Sequence, residues 1–552
     1  MANLINIGLS GLKATQAALS TTSNNISNAD TEGYNRRVAQ FGQSPGTSTP
    51  AGYFGNGVNL EGISRQYEGF LSNQLNKAKS EQSALSSELT EMTQIDNVLA
   101  NEDSGLDSLM SSFFSSIQKL ADTPADPAVR ETVLGDARSM VAQFKSVSGY
   151  LGDMEQGVES QLNDAVGQIN SYTSQIANLN KQITITQSKT GNEPSDLMDQ
   201  RDLFVSKLSE LTSINVVEQD GKYNISVSGG QSLVQGNDNY RMSLVDDSSD
   251  PTRKTVAIAN GSGGNFEISE DRLTGGKVGG LLAFRNGGLE SAQQRLGQLA
   301  VSLSGSINQQ HVQGQDLGGN AGEPVFALGS PDSFAHADNT STATVSTTFN
   351  DSVDQLRPSN YTVEFEAGTY TVTRESDGTT SSFASGGLPT DSNGASVISV
   401  DGLDIAVSGT PADGDAFLVK PFESATREMD LMISDPAKLA AAGAGNGIGD
   451  NTNAQAMADL QGAKRIGGDT SFSGAYAQLV SDVGTRTATL KVKSDAQNSV
   501  VEQVSTAQQS VSGVNLEEEA ANLLKFQQMY TANAKVISTA QNMFNELIGI
   551  MR

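Results

Sequence analysis

A helix with one apolar stripe cannot bury that stripe alone, and this chain carries such a helix at each end. From Gly513 to Arg552, Leu516, Leu523, Tyr530, Ile537, Phe544 and Met551 recur at every seventh position. Ala520, Ala534 and Ile548 fall on the same face, and after Gly513 no proline or glycine interrupts the run before Gly549. At the other end Ile5, Leu12, Leu19 and Ile26 repeat at the same interval. Stripes of this kind demand a partner helix. Chain ends ordinarily fray, so paired stripes at both termini point to a protein closed on itself, or on its neighbours, by its ends. The ordinary core face of a bundle helix shows the same spacing, and both readings stand at this stage.

Composition removes several function classes. With 552 residues there is material for three or four domains and more than one core. There is no cysteine, which excludes disulfides, thiolate metal sites and cysteine nucleophiles. Lysine and arginine number 35 against 63 aspartates and glutamates, a net charge of -28. That balance argues against nucleic acid, whose binding rests on neutralised phosphates, and against an anionic membrane surface. No apolar run is long enough to span a bilayer. Met1–Ile7 lacks the basic and continuous apolar regions of a cleavable secretory signal. Export, if it occurs, is expected by another route.

Residues 1–28 read as an amphipathic helix, followed by the breaker-rich Ala29–Arg37 and an irregular Gly/Ser/Thr/Pro connection over 42–62. Leu71, Ala78, Leu85, Met92 and Leu99 predict a long helix. A second, beginning near Ala128 past Pro124 and Pro127, keeps a seam of threes and fours from Val133 to Ile183, with one stutter at Val158. That seam spans on the order of 75 Å, which predicts an elongated helical body. A shorter helix over Asp196–Leu211 precedes short strands at 215–270. Helix returns near Lys277, with Leu282, Leu289, Leu296 and Leu303 at sevens. Alternating runs such as Tyr361, Val363 and Phe365, or Leu403, Ile405 and Val407, mark a β-rich block at 325–421 spliced into the helical body.

The expected fold is therefore an elongated, multidomain α+β chain. Residues 1–40 with 510–552 form a terminal helical coiled coil. Residues 41–324 with 422–509 form a long-helix bundle with small β elements. Residues 325–421 form an inserted β-rich domain.

Catalytic sets are missing. His311 and His336 lack the partners of a metal-binding helix. Gly275–Gly280 contains a Gly-Lys pair without the Ser/Thr and preceding strand of a phosphate loop, and reads as a helix lead-in. The glycine-rich Gly443–Gly449 follows what reads as an alanine-rich helix end and is expected to be a linker. Asp401, Asp404, Asp413 and Asp415 sit in turn chemistry without calcium-loop spacing. No carboxylate is set in an apolar context that would raise its pKa. We expect no enzyme activity, no cofactor and no metal.

Asn24-Asn25-Ile26-Ser27-Asn28 with Thr31–Arg36, preceded by Ser10-Gly11-Leu12 and Gln16, closely resembles the signature of the bacterial flagellar rod, hook and hook-associated axial proteins. Glu32 stands where that signature commonly has proline or a small residue. Ser512–Glu519 and Phe526–Ala534 look like its C-terminal counterpart. Asp196–Asp202, Gly279–Leu282 with Arg285, Asn308 with His311 and Gly314, and Asp450–Ala458 are similar to the hook–filament junction members of the family. The resemblance implies a structural subunit of the extracellular flagellum, secreted unfolded through the flagellar type III apparatus. It implies terminal helices in an inner, channel-lining layer of a homo-oligomeric ring or helix, and an outward-facing β domain. It implies as partners the hook protein, hook-associated protein 3 and an export chaperone at the C-terminal helix. Another axial subunit of the hook or filament, or a secreted adhesin acting through the β block, is the alternative.

Overall fold

A computed structural model of the chain describes residues 2–49, 52–100, 105–227, 229–259 and 264–550. Its helices are α1 (Ala2–Ser27), α2 (Gly69–Leu99), α3 (Leu106–Asp122), α4 (Pro127–Thr190), α5 (Ser195–Leu211), α6 (Gly276–Ala283), α7 (Glu290–His311), α8 (Glu423–Arg427), α9 (Thr452–Asp459), α10 (Phe472–Ser512) and α11 (Leu516–Ile550).

The longest, α4, has 64 residues, about 95 Å of rise. Local chemistry sets both its ends. The Asp126 carboxylate accepts from the Ala128 amide at 2.8 Å, and Pro127 occupies the first turn, where a missing N–H costs nothing. Gly191 ends it in the left-handed conformation at φ 71°. Between these ends every third or fourth residue from Val133 to Ile183 is buried, Tyr172 alone being half-buried. The stripe is covered in turn by α3, α5, α7 and two small antiparallel sheets at Ile214–Asn239 and Met242–Glu267. α2 packs along α10 and against α6, where a Cβ on Gly280 would lie 2.2 Å from the Ala84 carbonyl oxygen. The glycines of Gly275–Gly280 thus serve close helix approach.

The strand-rich insert has its own core. A five-stranded antiparallel sheet (Asp332–Ala335, Ala416–Lys420, Tyr361–Glu366, Thr369–Arg374, Thr379–Ala384) faces a three-stranded one (Thr344–Phe349, Leu403–Ser408, Ser396–Val400). Tyr361, Val363, Val372, Ile405, Val407 and Phe417 fill the space between, joined by Val301 from α7 and Phe422 beside α8. The turn aspartates behave as turn chemistry predicts: Asp415 accepts from the Thr340 and Ala412 amides, and Asp413 from the Ala367 amide.

A buried ionic network pins this insert to the body. Arg253, on the Met242–Ala259 hairpin, reaches Glu155 of α4 at 2.7 Å and Glu290 of α7 at 3.3 Å. Lys420 of the insert reaches Asp250 at 3.0 Å and Glu423 at 2.8 Å. Asn360 donates to Glu290 at 2.5 Å. Burial holds the Asp199 carboxyl of α5, 6% exposed, above its ordinary range. The expectation that no carboxylate is so placed therefore fails for Asp199.

His311 closes α7 in a buried position. Its Nδ1 donates to the Glu323 carbonyl at 2.7 Å, and its Nε2 accepts from the Ala440 amide at 2.8 Å. Arg130, buried in α4, donates to the Leu439 carbonyl at 2.7 Å and the Pro436 carbonyl at 3.1 Å. Side chains thus satisfy the backbone of Pro436–Ala442, which is not the helix end its alanines predict. Only a three-residue 3₁₀ turn, Pro436–Lys438, remains helical there. A buried segment with its polar groups met by side chains has no need of a helix.

Two outcomes follow. Replacing Lys420 by alanine strands Asp250 and Glu423 without their shared buried cation, at a cost of about 3–5 kcal/mol. Limited proteolysis of the variant is expected to release the 325–421 block, whereas the parent keeps it. Burial pushes the His311 imidazole down to about 4. A group neutral in the fold but basic when unfolded contributes stability above its unfolded pKa near 6.5 and loses it as pH falls toward 4. Between pH 6.5 and 5 the loss is about 2 kcal/mol. His311→Gln is expected to be less stable at pH 7 but to lose less over that interval, read from urea midpoints.

Candidate functional site

The two chain ends meet. α1 and α11 run antiparallel, and the seam between them is made of small residues. Gly8, Gly11, Thr15, Ala18, Thr22 and Asn25, alternating by three and four, are all buried. A Cβ on Gly8 would lie 2.7 Å from Ile537, and one on Gly11 2.6 Å from Asn533. Helix separation follows the side chains at the contact, so this stripe brings the two backbones close. Asn533 donates to the Thr15 hydroxyl at 3.4 Å, and buried Glu519 and Ala540 lie toward the two ends of the α11 face.

The heptad residues flank this seam. Ile5, Leu12, Leu19 and Ile26 are half-buried. On α11, Leu523 and Ile537 are half-buried, while Leu516, Tyr530 and Phe544 are exposed. Met551 lies outside the described residues. Of the companion set, Ala534 is half-buried and Ala520 and Ile548 are exposed. Each helix thus covers part of the other and leaves an apolar border. Sequence reasoning missed the seam because glycine and threonine add nothing to an apolar count. The recurrence of small residues at threes and fours was the available signal.

Asn25 is the polar centre of the joint. Its Oδ1 accepts from the Tyr34 hydroxyl at 2.8 Å and the Arg37 amide at 3.0 Å. Its Nδ2 donates to the Arg37 carbonyl at 2.9 Å and to Glu519 at 3.1 Å. Glu519, 2% exposed, accepts from Arg36 at 2.8 Å. One asparagine therefore fixes the end of α1, the turn after it and the start of α11. The acidic first turn of α11, Glu517–Glu519, faces a favourable helix dipole, and Asn515 caps it by accepting from the Glu517 amide at 2.9 Å.

The same turn is tied to the body through α5. Asn35 donates to Asp199 at 2.7 Å. Arg37 pairs with Asp196 and Asp199, and Arg65 with Asp199 and Asp202. These aspartates stand three apart, on one face of α5. Glu32 pairs with Lys207 of α5 at 2.7 Å, which holds its carboxyl below the ordinary range. The N-terminal signature and the Asp196–Asp202 stretch, far apart in sequence, are thus two halves of one contact.

Two strands, β1 (Arg37–Gln43) and β4 (Val58–Arg65), form a hairpin lying along α1, with the short β2 (Thr47–Thr49) and β3 (Gly52–Phe54) beyond. A polar cleft of about 900 Å³ opens between the Ala29–Arg36 turn, α2, α5 and the end of α10. Most of its charged lining is already paired: Lys79 with Glu210, Asp202 with Arg65, Glu32 with Lys207 and Arg36 with Glu518. Among the described residues no group of three or more His, Cys, Asp or Glu is placed to hold a metal ion, and no helix is long and apolar enough to cross a membrane. His336, half-exposed, accepts from the Asp338 amide at 3.1 Å. The geometry is that of a mechanical joint.

The chain is similar to known proteins over its whole length. Residues 92–326 match the family described as flagellar hook-associated protein FlgK helical domain, and residues 334–421 that described as flagellar hook-associated protein 1, D2-like domain. Residues 5–35 match flagella basal body rod protein, and 507–550 flagellar basal body rod FlgEFG protein C-terminal. The chain is 42% identical over 554 residues to flagellar hook-associated protein 1 of Escherichia coli K12, covering 100% of both chains. It is 40% identical over 560 residues to that of Salmonella typhimurium, again with 100% coverage of both. Among solved structures, the flagellar hook junction protein FlgK from Burkholderia pseudomallei is similar with a TM-score of 0.75 and 30% identity, covering 80% of this chain and 100% of that one. On this identity over its full length, the chain belongs to the flagellar hook-associated protein 1 family, a family of structural proteins of the bacterial flagellum.

Proposed function

We propose that the chain works as the junction subunit between hook and filament, joining its neighbours through the apolar borders of α1 and α11. The family supplies the structural role at the junction. The observation that carries the mode of action is the apolar surface that α1 leaves open on α11. Leu524, Met543, Phe544, Leu547 and Ile548 are all exposed. Burying one such side chain gains about 1.5–3 kcal/mol, so several per subunit supply a strong drive to associate. A closed ring or a helical layer of copies is the arrangement that head-to-tail contacts produce. In this reading the hook protein lies below, hook-associated protein 3 above, and an export chaperone covers the exposed face of α11 before type III export.

Deleting 516–552 is expected to leave the α4 body folded, with its cooperative unfolding intact, and to abolish co-sedimentation with purified hooks. Saturating hook binding by the truncated chain would overturn the reading. Amides of α1 and α11 are expected to exchange faster than those of α4 in the free chain and to slow on hooks. Asn25→Ala leaves Glu519, the Tyr34 hydroxyl and the Arg37 backbone short of partners, at about 2 kcal/mol. In the free chain it is expected to speed exchange of α1 amides at least tenfold, with α4 unchanged.

A further inference from the structure

The β-rich insert and the helical body have separate cores, and the joint between them is not closely filled. A cleft of about 170 Å³ lies between α4, α7 and α8, with Gly149, Gly152, Leu296, Phe422 and Thr426 in its lining. Elsewhere in the body glycines serve contact: a Cβ on Gly288 would lie 2.7 Å from Met92, and one on Gly297 2.2 Å from Phe422. The glycines inside α4 differ. A Cβ on Gly135, Gly149, Gly152, Gly157 or Gly167 would meet no atom within 4 Å, and none of them has a positive φ. Neither packing nor backbone conformation requires them, yet each lowers the helical equilibrium about fivefold against alanine. Three of them fall between positions 149 and 157. Ser148 beside Gly149 makes the kind of Gly/Ser pair at which helices kink. The two steps of four from Met154 through Val158 to Leu162 mark a local unwinding of the buried seam.

We propose that the middle of α4, from Ser148 to Val158, is a flexure on which the β-rich insert tilts. The polar anchors of the insert lead to this segment. Lys420 holds Asp250, Asp250 lies 3.7 Å from Arg253, and Arg253 pairs with Glu155 inside the segment. α8, which follows the insert, packs on α4 beside the cleft. A bend moves these anchors as a group, so the insert changes its angle with its ion pairs unbroken. Bending lengthens backbone hydrogen bonds on one side as their carbonyls tilt toward water, and glycine leaves the backbone open to water. It also needs room, which the cleft gives on the side of α8. From Gln168 to Thr190 the helix holds no glycine, so the same combination is missing there. Flexing is a property of the free chain and does not rest on the assembly proposed above.

The test uses the full chain, which has no cysteine of its own. Ser139→Cys and Ser171→Cys, both at exposed positions of α4, carry nitroxide labels about 48 Å apart along a straight helix. Pulsed electron paramagnetic resonance on the free chain is expected to give a broad distance distribution. Adding Gly149→Ala, Gly152→Ala and Gly157→Ala is expected to narrow it about twofold. The added methyls meet no atom, so the triple variant is expected to fold, with a urea midpoint at or above the parent's. Equal widths in parent and triple variant overturn the inference. Gly167→Ala, the same change outside the flexure, is expected to leave the parent width, and narrowing equal to the triple variant's also overturns it. A second pair, Ser171→Cys with Thr380→Cys on the edge strand Thr379–Ala384 of the insert, reports the tilt. Its distribution is expected to narrow in the triple variant, and an unchanged width there overturns the coupling of insert to helix.

Discussion

The body of this protein depends on one constraint: a helix of 64 residues carries more buried stripe than any single partner can cover. α4 therefore recruits its neighbours in series. α5 and the Ile214–Asn239 sheet lie toward its C-terminal half, the Met242–Glu267 sheet and α7 near its middle, and α3 with the Pro436–Ala442 segment near its start. Each neighbour is amphipathic and short of partners on its own. Elongation follows from this, because the covering elements are spread along an axis of about 95 Å. The two ends of the chain and the β insert attach where the covering elements leave off.

Both attachments contain buried polar contacts. The insert is held by Lys420 on Asp250 and by Asn360 on Glu290, two carboxylates that Arg253 fixes from within the body. The terminal unit is held by Asn25 and Glu519 on one side and by Arg37 and Arg65 against α5 on the other. Buried ion pairs add little net stability over well-packed apolar residues. What they supply here is direction: a bidentate or multiply bonded group has few acceptable geometries, whereas apolar faces slide. A subunit that must present its ends at a set angle gains from joints of this kind.

Much of the architecture was legible because it is local. The threes and fours of Val133–Ile183, the Asp126-Pro127 start and Gly191 mark α4 in sequence alone, and alternation marks Tyr361–Glu366 and Leu403–Ser408 as strands. The heptad stripes showed that α1 and α11 need partners. They did not show the seam, since close packing there is carried by Gly8, Gly11, Thr15 and Ala18, residues that apolar counting passes over. The Pro436–Ala442 segment was misread because Arg130 and His311 satisfy its backbone from far away in the chain. Asp199 was misread for the same reason, its burial coming from Asn35, Arg37 and Arg65, which no local pattern joins to it. The meeting of the N-terminal signature with Asp196–Asp202 is likewise a fact of three dimensions, though both stretches stood out separately.

The division between polar joints and apolar borders is itself an argument about assembly. If α1 and α11 met through their heptad residues, the pair would be satisfied and would leave a neighbour little apolar surface to cover. Small residues in the seam give a close, specific contact while holding Leu516, Tyr530 and Phe544 exposed at its edge. The pairing is then ordered by Asn25 and its partners, and in the proposed assembly the hydrophobic gain is kept for contacts between copies. Geometry is set within the chain by hydrogen bonds and ion pairs; in the proposed assembly, association between chains draws on what the seam leaves uncovered.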